Sequence, residues 1–237
     1  MATSPPRERG GAGLLLSYLF KGLLYKLFLL ALFLLAAGRW DWPWAWAYCA
    51  IFFGYDLATA AVVYPRSPGL LAERATRHAD MKAWDKAIMG LAAGFLPMIA
   101  GIVAGLGARF GWLPDLPLTL QWIAAGVVAL GYGIVVWSMW ANAYFSAVVR
   151  IQTERGHQVA TGGPYRIVRH PGYVGAILFT LAMPLLMDSL WALIPAGAAA
   201  LLYVVRTALE DRTLQAELPG YSAFTQQTRF RLLPGIW

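Results

Sequence analysis

Apolar runs of about 20 residues recur along this chain, the length needed to cross a hydrocarbon core of roughly 30 Å. Six are recognisable, at about 14–37, 44–64, 87–108, 118–141, 173–187 and 190–208. Residues are 59% hydrophobic and only 13% charged, where a soluble domain would carry ~25% charge. The expected fold is therefore all-α: a polytopic membrane bundle of about six apolar helices. Residues 1–13 read as a disordered tail rich in Pro, Gly and charge, and 14–141 as a four-helix transmembrane region. Residues 142–237 hold a helical hairpin and amphipathic C-terminal helices. The first arm of that hairpin, 173–187, is short for a span, so it is expected to be tilted or shallow.

The formal net charge of +7 raises the question of nucleic acid, and the placement of the charges answers it. All the Lys and Arg residues except Arg39 and Arg109 fall on alternate connections or at the two ends. That asymmetry is the positive-inside pattern. It puts both termini on the cytoplasmic side and makes anionic headgroups the natural charged neighbours, with no nucleic-acid partner. Lys21 and Lys26 are grouped with the N-terminal flank and first turns. They also interrupt the first run, which is too long for a signal-peptide core, so it is expected to stay as an uncleaved anchor. Cys49 is the only cysteine, so neither a disulfide framework nor a cysteine metal cluster is available.

Along the chain, the "RWDWPWAW" cluster marks a bilayer surface. Asp56 lies near the middle of the second run. An intramembrane carboxylate is a functional candidate, with a structural hydrogen bond to a neighbouring helix as the favoured plain reading. Residues 65–85 read as an interfacial connection, partly helical after Pro68, with Leu70, Leu71 and Trp84 dipping toward the headgroups. Gly90, Gly94, Gly101 and Gly105 form two small-xxx-small pairs that permit close helix packing. "GIVAGLG" follows no strand, so its glycine spacing does not signal a nucleotide loop. Near the C-terminus Leu209, Leu214 and Leu218 make an apolar stripe that suits the headgroup surface, and a short helix is expected from about Ser222.

The segment "GGPYRIVRHPGYVG", residues 162–175, is the most turn-rich and polar stretch beside an apolar run. Gly162, Gly163 and Pro164 make a turn, and Pro171 suits the first turn of a helix starting near Tyr173. A helix N-terminus facing a loop of N–H groups suits an anionic group such as a carboxylate. Arg166, Arg169 and His170 add donors and positive charge. An interfacial Arg/Tyr segment with no ligand is an equal reading on these grounds alone. His157 and His170 share the region without further Cys or His ligands, and His78 lies in another connection, so no metal site is expected.

"GPYRIVRHPGYVG" (163–175), followed one hairpin later by "RTALEDRTLQAELPGY" (206–221) and "RFRLLPGIW" (229–237), resembles the isoprenylcysteine carboxyl methyltransferase family. That family sits among the membrane methyltransferases related to phospholipid N-methyltransferases. The resemblance covers about residues 140–237. It implies S-adenosylmethionine as methyl donor, bound at the cytoplasmic face, and a lipid or lipidated acceptor reached from the bilayer. Carried over by motif, His157, Gln158, Val159 and Ala160 line the adenosine, with Tyr165 nearby and Gln152 as an outer contact. His170, Pro171, Gly172 and Tyr173 hold the donor where the helix starts, and Glu210 meets it from the C-terminal side. Arg206, one turn before Glu210 and on the same face, meets the acceptor. The chain departs from the family in carrying Glu210-Asp211 where two glutamates are commoner, and Gly172 where serine is common.

These roles are chemically coherent. A carboxylate acceptor is already ionised near neutral pH and needs no general base, and Arg206 would orient it through paired N–H donors. The alternatives are phospholipid or amine N-methylation, an NADPH-dependent reductase of related architecture, and a non-enzymatic scaffold or transporter subunit. The acidic pair disfavours the extra phosphate of NADPH, and Asp56 is the only support for the last.

Overall fold

The computed structural model describes residues 11–75, 82–112 and 115–237; most of the expected N-terminal tail, His78 and the side chain of Leu71 lie outside them. Its helices are α1 (Gly11–Ala37), α2 (Pro43–Ala58), α3 (Pro68–Ala75), α4 (Ala83–Met89), α5 (Leu96–Phe110), α6 (Leu118–Ala141), α7 (Pro171–Leu186), α8 (Leu193–Glu217) and α9 (Tyr221–Gln227). No strand occurs among the described residues. Five helical stretches are long and apolar enough to cross a membrane, and α7 is a shorter apolar helix. The chain is a multi-pass integral membrane helical bundle.

Two π turns prolong these helices. Thr59–Val63 extends α2, and Gly90–Phe95 fuses α4 to α5 into one span, Ala83–Phe110. Both lie just before a proline, Pro65 and Pro97. A proline ring clashes with the carbonyl four residues back and offers it no N–H, and a widened turn relieves both problems. The second π turn also revises the glycine reading. Gly101 and Gly105 form a close contact with α1, where an added Cβ would fall 2.1 Å from the Phe33 ring and 2.8 Å from the Phe33 carbonyl oxygen, respectively. Gly90 and Gly94 lie in the π turn and have open space around them, because the inserted residue rotates that face away from α1. The closest approach to backbone joins α6 to α7: a Cβ on Gly175 would sit 2.4 Å from the Gly131 carbonyl oxygen.

Three sequence readings shift in the folded chain. Lys26 lies fifteen residues beyond Gly11, about 22 Å along α1, so it belongs to the membrane interior and not to the flank. There its ammonium meets Asp56 at 2.6 Å, and the Tyr18 hydroxyl donates to the same carboxylate at 3.2 Å. Asp56 thus has the neighbouring-helix partners that its plain reading called for. Leu70 is fully buried against Val63, Val135, Val136 and Met139; α3 docks on the bundle because that side chain finds a hydrophobic slot between α2 and α6. The C-terminal stripe likewise turns inward. Leu214 packs with Leu218, Tyr221, Phe224 and Tyr165, since Gly220 in a left-handed conformation (φ 84°) folds α9 back along α8.

Candidate functional site

The segment before α7 is shaped by local bonds. Asn142 ends α6 in an extended conformation and donates through Nδ2 to the Tyr165 hydroxyl at 3.3 Å. The Thr228 hydroxyl donates to the Tyr165 carbonyl at 3.1 Å, so the 3-10 turn Gly163–Arg166 is pinned from both sides. Gln152 is fully buried; its Nε2 donates to the Tyr144 carbonyl at 2.8 Å, and its Oε1 accepts from Arg155. It braces this connection from behind. The Gln152 amide donates to His157 Nδ1 at 3.3 Å, and the His157 ring stacks on Tyr144 with centroids 4.7 Å apart. Nδ1 therefore accepts, which leaves the proton of the neutral ring on Nε2. Burial, with Arg155 adding to it, holds the His157 pKa below its usual value.

At the α7 start, the backbone of the motif pairs with the C-terminal segment. The Arg169 amide donates to the Phe230 carbonyl at 2.9 Å and the His170 amide to the Arg231 carbonyl at 3.0 Å. Asp211, fully buried on α8, gathers the side chains. It accepts from Arg169 through Nε at 2.9 Å and Nη2 at 3.0 Å, from Arg231 at 2.8 Å, from Gln215 at 2.8 Å and from the Tyr221 hydroxyl at 3.0 Å. His170 Nε2 lies 3.2 Å from the same carboxylate. Arg169 and His170 both border the cavity, Arg169 with its guanidinium already engaged by Asp211 and the Thr228 and Arg229 carbonyls, whereas Arg166 is exposed and away from it. Gly172 has a steric reason to lack a side chain, since a Cβ there would meet the Phe145 ring at 2.7 Å.

A cavity of about 440 Å³ opens between these elements and the membrane helices. His157, Gln158, Val159 and Ala160 line one wall; Tyr165, His170, Gly172 and Tyr173 line another; Arg206 and Glu210 face it from α8. Gln152 and Pro171 do not line it: the former braces the connection and the latter begins α7. Residues 158–160 have no regular secondary structure, and their peptide groups make no backbone hydrogen bond to other described residues. The Tyr173 hydroxyl donates to Glu210 Oε2.

Arg206 sits in a setting the sequence did not disclose. Asp85, fully buried on α4, accepts from its Nε at 2.6 Å and its Nη2 at 3.2 Å; Nη2 also donates to the Ala147 carbonyl at 3.0 Å. Asp85 further accepts from the Val149 amide at 2.7 Å, and the guanidinium lies 5.3 Å from the Tyr173 ring centroid. Nη1 donates to Met89 Sδ at 2.7 Å, and both residues line the cavity. Asp85 and Asp211 are the site residues that sequence reasoning missed. The one available signal was an acidic residue at the mouth of an apolar run in each case, because a buried carboxylate implies a buried cation opposite.

With this geometry in view, two similarities acquire meaning. The sequence model of the phospholipid methyltransferase family matches residues 119–218, from α6 through the motif to the end of α8. The match is to the broader group of membrane methyltransferases, not to its isoprenylcysteine branch in particular. The cobalt-zinc-cadmium resistance protein CzcN of Cupriavidus metallidurans is 30% identical over 120 residues, covering 49% of each chain. The chain thus spans about half the length of that curated relative. Among the described residues no group of three or more His, Cys, Asp or Glu side chains is disposed to hold a metal ion.

Proposed function

We propose that this protein is a membrane methyltransferase that takes its methyl group from S-adenosylmethionine and delivers it to a lipid or lipidated acceptor entering from the bilayer. The observation that carries the reading is the convergence on one cavity of His170 and Tyr173 at the α7 start, residues 157–160, and Arg206 and Glu210 on α8. The family match to residues 119–218 spans all of them.

The side chains present suit such a donor. Peptide groups of 158–160 offer an unpaired hydrogen-bonding edge, a natural partner for a purine. Glu210 gives a negative charge beside the Tyr173 ring and hydroxyl, where a sulfonium is favoured by charge and by the aromatic face. The α7 N-terminus favours a carboxylate. When bound, S-adenosylmethionine supplies an electrophilic methyl group; the protein's part is to fix the approach of the acceptor and keep water out. Asp85 holds Arg206 at the cavity, with Nη1 on the Met89 sulfur; exchange of that weak acceptor for an acceptor carboxylate would give a charge-assisted hydrogen bond.

Carboxyl O-methylation is the finer reading. The second, N-methylation of a lipid amine, is favoured by the description of the matching family and by the engagement of Arg206 with Asp85. Both place the site on the cytoplasmic side, as the distribution of basic residues suggests. Purified protein incubated with radiolabelled S-adenosylmethionine and total membrane extract should yield labelled product. Alkali-labile label marks a methyl ester and alkali-stable label an N-methyl lipid. Glu210→Ala and His170→Ala should abolish donor binding; intact affinity in both would sink the site assignment, and stabilisation by NADPH alone would replace it with the reductase reading.

A further inference from the structure

The cavity does not stop at the α7 start. Along α6 its lining runs from Asn142 up to Tyr132, ten residues or about 15 Å of helix. Its inner wall is aromatic: the Phe52 and Tyr132 rings stack at 5.2 Å and Tyr132 on Phe179 at 4.3 Å. At that end lies the Lys26–Asp56 pair, with the ammonium 4.0 Å from the Phe52 centroid. Both residues line the cavity.

Resting on the methyltransferase reading, we propose that this inner end is a recognition subsite for a neutral hydrogen-bonding group, a hydroxyl or carbonyl, carried on the hydrophobic body of the acceptor lipid. Three observations converge on it. The Lys26 ammonium has three donors and spends one on Asp56. Tyr55 and Tyr203 also line the cavity, and their hydroxyls have no hydrogen bond to another described residue. Gly22 omits a side chain where a Cβ would fall 2.2 Å from Asp56 Oδ2, so α1 leaves room for the carboxylate. A buried ion pair that served only to join two helices would be replaceable by apolar side chains at little loss, and an intramembrane charge facing a cavity marks a substrate path.

The pair also sets the charge of the group it takes. An anion would be repelled by Asp56 and a cation by Lys26, and either would add the desolvation cost of a further ion. A neutral group can accept from Lys26 or a tyrosine and, if a hydroxyl, donate to Asp56. The aromatic walls take the hydrocarbon between that group and the reacting end.

The test compares dodecanoic acid with ω-hydroxydodecanoic acid, titrated into full-length protein in nanodiscs saturated with S-adenosylmethionine. The affinity ratio of the two probes in wild type is set against the ratio in Lys26→Met/Asp56→Leu, which removes both charges together, so that differences in probe partitioning cancel. Wild type should favour the hydroxylated probe about tenfold more than the double variant does. Equal ratios overturn the subsite while donor binding leaves the methyltransferase reading standing; loss of donor binding in wild type overturns that reading instead. A dodecanoic acid with a terminal diazirine tests, without any variant, whether the hydrophobic body reaches that end. Labelling of wild-type peptides that contain Lys26, Phe52 or Tyr55 supports the subsite, and label confined to lipid-facing positions such as Leu16 and Leu35 overturns it.

Discussion

At the outer end of the cavity one carboxylate, Asp211, is bonded to Arg169, His170, Gln215, Tyr221 and Arg231. At the inner end Asp56 meets Lys26 and Tyr18, and the remaining walls are mostly aromatic rings and aliphatic side chains. Directional bonds between distant segments specify the outer end, so its geometry fails as a unit when one member goes. Packing specifies the inner end, which yields by degrees and leaves polar valence toward the cavity. A rigid outer end suits a donor of constant shape, and a softer inner one suits a hydrophobic acceptor.

The sharpest way to break this contrast is Asp211→Ala. It strands Arg169 and Arg231 without their shared carboxylate, and removing one partner of a buried pair costs about 3–5 kcal/mol. A large fall in thermal midpoint in detergent, with loss of donor binding, is expected; an unchanged midpoint would mean that the Asp211 bonds do not hold the outer end together. Gly175→Ala probes the frame between the two ends. Its Cβ would lie 2.4 Å from the Gly131 carbonyl oxygen, and overpacking of this kind costs about 1–3 kcal/mol. Donor binding and acceptor turnover should both decline, since α6 and α7 line both ends; a selective loss of one would show that the ends are separately framed.

The smallest effect concerns His157. Its folded pKa is depressed by burial and by Arg155, so the unfolded chain takes up the proton first as pH falls. The stability this neutral ring contributes is present above the unfolded value of about 6.5 and declines as pH drops from there to the folded pKa. His157→Gln should flatten that part of the midpoint-versus-pH curve and leave the rest unchanged. An identical slope in wild type and variant would assign the titration elsewhere.

Much of the architecture was legible because membrane spans are written in local composition: the runs at 14–37, 44–64 and 118–141 match α1, α2 with its π turn, and α6 within a few residues. The limits of such reading are physical. Arg206 and Asp85 are 121 residues apart in the chain, and no local pattern announces that pairing. Lys26 looked like a flanking charge because its partner lies on the next helix, and Leu70 looked interfacial because its slot is formed by residues from α2 and α6. The glycine pairs were only half informative, since the π turn that rotates Gly90 and Gly94 away answers to Pro97. Gln158, Val159 and Ala160 came from a resemblance alone, because a segment without regular secondary structure carries no periodicity by which to recognise it.

The pairing of residues 169 and 170 with residues 230 and 231 carries a consequence for biogenesis. A chain is made from its N-terminus at about 5–20 residues per second, so the α7 start emerges well before the segment that caps it. Arg169 then waits for Asp211, and afterwards for the Thr228 and Arg229 carbonyls, with its charge held at the membrane surface. The inner end needs no residue beyond α8, whereas the outer end is completed only by the last segment of the chain. A chain ending after α8 should therefore keep the packed inner end of the cavity and lack the bonds that pin the outer one.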